Sequence, residues 1–224
     1  MSHADVVPSS GITPAPHIRQ ELSWDCGVAC AAMVLRHLGL TTPRLSDIGT
    51  SSPWTLDVFY LLQGHGCHSI TFCTTVLGVD ESHASMPFYQ VGSGWDATDV
   101  HRLNFLFHDA MHVRKWKVVE RSFTRSEFIA MLDDPSVLLI VLVDASRLYC
   151  SCRAGILSAC LWCCGSRAPY IGHYVVALGR DVSGSYVMYN DPARPSAPCA
   201  CPLDSFHNAR TARGTDEDII ICRV

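Results

Sequence analysis

Seven consecutive apolar residues, Val137 to Val143 ("VLLIVLV"), constrain the fold more than any other stretch. The run falls far below the roughly 20 residues that a membrane-spanning helix needs. Its continuous, β-branched character predicts a strand buried at the centre of a sheet. A chain of 224 residues is long enough to cover such a strand within one domain. Hydrophobic residues make up 48% and charged residues 17%, which excludes a disordered tail or a basic nucleic-acid arm as the main theme. A formal charge of −4 and a pI near 6.2 give no footprint for a polyanion, so neither nucleic acid nor a membrane is an expected partner.

The segments around that strand divide into two textures. Helical spacing predicts a helix over about 26–40, carried by Ala31, Val34, Leu35 and Leu38 and stopped by Gly39 and Thr-Thr-Pro at 41–43. Further helices are predicted over 54–64, 96–113 and 124–132, the last opened by Thr124 with Glu127 at capping-box spacing. A strand-like stretch lies at 67–78, and residues 80–96 are turn-rich. Strands follow at 137–143, 173–180, 185–190 and 219–223, with "DVSG" at 181–184 as a hairpin turn. Helices first and an antiparallel sheet second make an α+β arrangement. The start of the chain, "MSHADVVPSSGITPAPH", has no basic n-region or apolar h-region of a secretory signal and is expected to form a flexible arm over 1–16. Residues 17–224 then form a single domain with a Cys-rich insertion at about 144–172, and the expected location is cytoplasmic, or also nuclear.

One constellation carries chemistry. In "SWDCGVAC" (23–30), Cys26 opens the first helix, where the positive end of the helix dipole favours thiolate over thiol. A thiolate nucleophile needs a base and a group that orients the base. His173 begins a strand directly after Gly172, and Asp191 follows the next strand in "YNDPA", so a hairpin would bring the two to neighbouring strand ends. Gln20, six residues before Cys26, is placed to join the Cys26 backbone N–H in stabilising an oxyanion. Gly27 would allow close approach of the backbone to a substrate, Asp25 would cap or orient the loop, and Trp24 would either wall the cleft or sit in the core.

In the order Gln20, Asp25-Cys26-Gly27, His173 and Asp191-Pro192, the sequence resembles the papain-fold peptidases that remove double-glycine leaders from bacteriocin precursors. That resemblance implies a papain-like fold, a Cys26–His173–Asp191 triad with Gln20 at the oxyanion, and a peptide or protein substrate. Over about 17–224 the chain also resembles the eukaryotic family of guanylyl cyclase domain-containing protein 1 and the plant soluble guanylyl cyclases. The segments that carry this are "WDCGVAC", "WTLDVFYLL", "FCTTVLGVD", "VLLIVLVDASRLYCSC", "GHYVVALGR", "YNDPA" and "ARTARGTDEDI". This second resemblance implies conversion of GTP to cyclic GMP with Mg or Mn. A third alternative is a non-catalytic module whose cleft binds a peptide or another protein.

The cyclase chemistry needs metal-binding carboxylates and charge stabilisation on a triphosphate. The chain has no P-loop and only two lysines, Lys115 and Lys117. Its densest acidic group, Asp216, Glu217 and Asp218, would bind a metal or form a solvated turn into the last strand. Twelve cysteines without an export signal suggest thiols, metal ligands or a nucleophile rather than a disulfide framework. In "CSCRAGILSACLWCCG" (150–165), Cys150, Cys152, Cys163 and Cys164 form a candidate structural zinc set, in a segment placed to act as a flap over the cleft. Cys199 and Cys201 make a further pair, Cys30 is expected in the core, and the remaining histidines are expected to be surface or satisfied residues.

Overall fold

The computed structural model describes residues 12–90, 97–148 and 169–224. The Cys-rich stretch 150–165, with its candidate zinc ligands Cys150, Cys152, Cys163 and Cys164, lies outside the described residues. Helix α1 (Cys26–His37) and helix α2 (Thr55–Gly64) come first, followed by strand β1 (Ile70–Thr74), the single turn α3 (Pro87–Gln90) and helix α4 (Ala97–His108). Strand β2 (Val118–Glu120), helix α5 (Arg125–Leu132) and the long strands β3 (Val137–Asp144) and β4 (Gly172–Arg180) continue the chain. It closes with β5 (Tyr186–Asn190), β6 (Cys199–Pro202), helix α6 (Leu203–Arg210) and β7 (Ile219–Arg223). Among the described residues seven strands form one sheet in the order β2-β1-β7-β3-β4-β5-β6, antiparallel except for the β1–β2 pair.

The apolar run is the buried strand its composition predicts: every residue of β3 is buried. Strand alternation then sends its residues to two cores. Leu138, Ile140 and Leu142 pack with α1 and α2, and Leu139, Val141 and Val143 pack with α5 and α6. Each such side chain is worth roughly 1.5–3 kcal/mol of burial. The sheet is thus covered on both faces by helices, where the sequence reading had one helical half against it. The predicted helix over 96–113 is α4 ended by a π turn, Asp109–Val113.

Helix α1 is buried along nearly its whole length, from Cys26 to Leu35. Residues 12–16, assigned from sequence to the arm, are docked on the body: the Thr13 N–H donates to Leu178 O at 3.0 Å, and Asn190 Nδ2 donates to Ala15 O at 3.0 Å. The same strap continues to the site, where His17 Nε2 meets Asp191 O at 3.0 Å and the Gln20 N–H donates to Pro192 O at 3.0 Å.

Candidate functional site

Cys26 sits at the first position of α1, beneath a cleft of about 850 Å³ that it lines together with Gln20, Trp24, Gly172, His173 and Asp191. The preceding turn is built by Asp25, whose buried carboxylate accepts from the Glu21 N–H at 2.9 Å and the Leu22 N–H at 3.0 Å. Its charge is therefore turned back into the loop rather than into the cleft. Gly27 is likewise not part of the cleft wall: a Cβ there would lie 2.6 Å from Val58 Cγ2 and 3.2 Å from Tyr174 Cδ2. The missing side chain lets α1 close down on α2 and β4, which fixes Cys26 beside His173.

His173 stands at the start of β4, opposite Val143 at the end of the apolar strand. The β4–β5 hairpin returns Asp191 to it, with His173 Nε2 2.7 Å from Asp191 Oδ1. Asp191 is held in turn by the Ala193 N–H at 2.9 Å and by Arg194 Nε at 3.4 Å. Since Nε2 is occupied, Nδ1 is the ring nitrogen left for the thiol. Burial works against the charged imidazole, but the hydrogen bond it donates to Asp191 and the neighbouring Cys26 outweigh it and raise the His173 pKa to about 9. Burial also works against the Asp191 carboxylate, and the His173 hydrogen bond and charge overcome it, lowering its pKa. Cys30, one turn along from Cys26, is fully buried, and burial first, then Cys26, raises its thiol pKa. Cys199 and Cys201 are buried in β6.

Gln20 reaches the cleft, but one of its amide protons is directed to Leu22 O at 2.6 Å. Its Oε1 is buried without a hydrogen-bond partner among the described residues, and the second amide proton is available for a ligand. The Cys26 N–H adds a donor, because the first N–H groups of a helix have no partner within it.

The other end of the cleft is acidic and aromatic, and sequence reasoning did not foresee it. Asp216 and Asp218 line it with Trp54, Tyr89 and Tyr170. The solvated turn expected at 216–218 is instead folded inward, with Asp218 only 8% exposed. Glu217 points away, accepting from Ser122 Oγ at 2.8 Å and from the fully buried Arg210 at 3.4 Å. His83, read from sequence as one of the scattered histidines, is buried between Asp80 Oδ2 at 3.4 Å and Asp216 Oδ1 at 3.5 Å. The signal that could have marked it was its company, Asp80 three residues earlier in "VDESH".

Among the described residues no helix is long and apolar enough to cross a membrane. A family model described as guanylylate cyclase matches residues 15–222. The chain is 33% identical over 219 residues to guanylyl cyclase 1 of Arabidopsis thaliana, an alignment covering 96% of this chain and 77% of that protein. With its matched span including Cys26, His173, Asp191 and the acidic turn at 214–218, this chain belongs to the family named guanylylate cyclase.

Proposed function

We propose that the protein is a thiol hydrolase of papain-like design, acting on an amide or isopeptide bond of a peptide or protein. The observation that carries this reading is the 2.7 Å bond between His173 Nε2 and Asp191 Oδ1, with Cys26 at a helix start beside the same ring. Cys26 Sγ attacks the carbonyl carbon, and the π electrons move to oxygen. The Cys26 N–H and the free Gln20 amide proton hold the resulting charge. His173 gives its proton to the leaving nitrogen as the C–N bond breaks, then takes one from the water that hydrolyses the thioester. Asp191 keeps the ring oriented and stabilises its charged form.

The test is the rate of Cys26 alkylation by iodoacetamide against pH, in wild type and His173→Ala side by side, with the modified cysteine located by peptide mass. Fast alkylation at pH 6 that falls tenfold or more in His173→Ala supports a working pair. A slow thiol indifferent to His173 rejects it.

A second reading, cyclisation of GTP, is favoured by the family name and by the convergence of Asp80, His83 and Asp216, whose ligand atoms lie within 4.8 Å of one another. Two carboxylates and one imidazole suit Mn better than Mg, which prefers all-oxygen shells. These three residues would hold the ion, which would supply charge stabilisation to a triphosphate. Metal-dependent cyclic GMP formation that survives Cys26→Ala would favour this reading over the first.

A further inference from the structure

Asp218 occupies a position where strand alternation calls for an apolar side chain. It precedes Ile220 and Cys222 by two and four residues, and both of those lie in the core beneath α1 and α2. Its carbonyl accepts from the Leu142 N–H at 3.1 Å, and Leu142 pairs with Tyr174, the neighbour of His173. Two strand spacings, ~10 Å, therefore separate the Asp218 position from β4. Asp218 is more than nine-tenths buried, lines the cleft, and has an Oδ1 without a hydrogen-bond partner among the described residues. Thr55 and Thr74 stand beside it and ease its charge. No lysine, arginine or histidine is ion-paired with it among the described residues.

The chain spends conformational strain to put it there. Asp216 and Glu217 both have positive φ, 47° and 51°, which costs a non-glycine residue on the order of 1–2 kcal/mol each. The turn is held from several sides. Tyr89 and Tyr170 both donate to Gly214 O at 2.7 Å, and Thr75 donates to Asp216 O through N–H and hydroxyl at 2.8 and 2.9 Å. The rings above it form a stacked row, with Trp54 to Tyr89 at 5.5 Å and Tyr89 to Tyr170 at 5.9 Å. A buried carboxylate short of a cation, in a cleft also lined by Trp54, Tyr89 and Tyr170, is the complement of an ammonium or guanidinium group.

We propose that this end of the cleft is a specificity subsite for a basic side chain of the substrate, with Asp218 as its anion, Asp216 as a second negative charge and Tyr89, Tyr170 and Trp54 as its aromatic wall. The inference rests on the thiol-hydrolase reading for its place in the same cleft as the scissile bond, and makes lysine- or arginine-containing peptides the substrate class. Burial, with Asp216 adding to it, raises the Asp218 pKa well above the usual carboxylate value.

The test uses two acyl fluoromethyl ketones, one lysyl and one norleucyl, which differ in the terminal ammonium. Each labels Cys26 by forming a C–S bond as fluoride leaves. The lysyl reagent is expected to label wild type at least tenfold faster, and the ratio should fall to near one in Asp218→Asn and drop in Asp216→Asn. The ratio is the readout, so a general loss of reactivity does not imitate the effect, and the wild-type comparison needs no variant. In parallel, n-butylammonium is titrated into Cys26→Ala protein by calorimetry. Saturable binding, lost in Asp218→Asn and not shown by n-butanol, supports the subsite even if neither ketone nor iodoacetamide labels Cys26. That last result alone would overturn the hydrolase reading and leave the cation site standing. Equal labelling by the two ketones, or Mn saturating the carboxylates and excluding n-butylammonium, overturns the proposal.

Discussion

His173 Nε2 and Asp191 Oδ1 lie 2.7 Å apart across a hairpin, and this contact decides the charge of the imidazole. Replacing Asp191 by Asn keeps the shape and removes the charge. In Asp191→Asn the His173 pKa should fall from about 9 toward its ordinary 6.5, by at least one unit, as read by NMR titration of the ring. A His173 that titrates unchanged would mean Asp191 is not its main partner.

The same shift has a consequence for stability. The folded pKa of His173 is raised, to about 9 from 6.5, so the protonated ring stabilises the fold fully below about pH 6.5 and loses that contribution as pH rises through about 9. Urea unfolding at pH 6 and pH 10 should show wild type losing more stability than Asp191→Asn, by on the order of 2–3 kcal/mol. Equal losses would count against the assignment.

Gly27→Ala tests the seat of Cys26. Alanine favours a helix by about 1 kcal/mol over glycine, but here its Cβ would press on Val58 Cγ2 at 2.6 Å. Overpacking of this kind costs about 1–3 kcal/mol. The expected result is a lower Tm together with a slower iodoacetamide reaction at Cys26. A rise in Tm would show that α1 is free to shift.

Arg210→Leu should destabilise the protein by about 2–4 kcal/mol. Arg210 is fully buried, donates to Phe123 O at 2.6 Å, and lies 4.6 Å over the Phe128 ring. Its loss leaves Glu217 and the Phe123 carbonyl short of a donor. Denaturant unfolding measures the loss, and a neutral substitution would mean that the acidic turn is held without it.

Asp218→Asn should be more stable than wild type, with the difference growing as pH rises. The raised folded pKa of Asp218 means that stability present below the unfolded value of about 4 is lost as pH rises toward the folded value. Thermal unfolding at pH 4 and pH 8 checks this. A gap that shrinks with pH would indicate a paired, not an unsatisfied, carboxylate.

Much of the scaffold was legible because its signals are local. The uninterrupted apolar run announced β3, Thr124 with Glu127 announced the start of α5, and the "DVSG" turn closed the β4–β5 hairpin, where the Asp181 carboxylate accepts from the Tyr186 N–H at 2.8 Å. Cys26 at a helix start and His173 and Asp191 at adjoining strand ends followed from the same local pattern. Strand β2 is three residues long and half exposed, and α6 shows its apolar face over only two turns, so neither leaves a periodic trace. The insertion of β7 between β1 and β3 is a long-range choice that no window of sequence carries. Asp218 was misread for a related reason. An acidic triplet reads as solvated until Arg210 and Ser122 are seen to claim the middle residue and leave its neighbours facing inward.

The strap from Thr13 to Gln20 gives the site a built-in order of assembly. His17 meets the Asp191 carbonyl across 174 residues of chain. Cys26 and the His173–Asp191 pair lie far apart along the chain and meet only through the folded sheet. Contacts of such separation form late in folding, so Cys26 gains His173 as its neighbour only once the β4–β5 hairpin and the strap have docked.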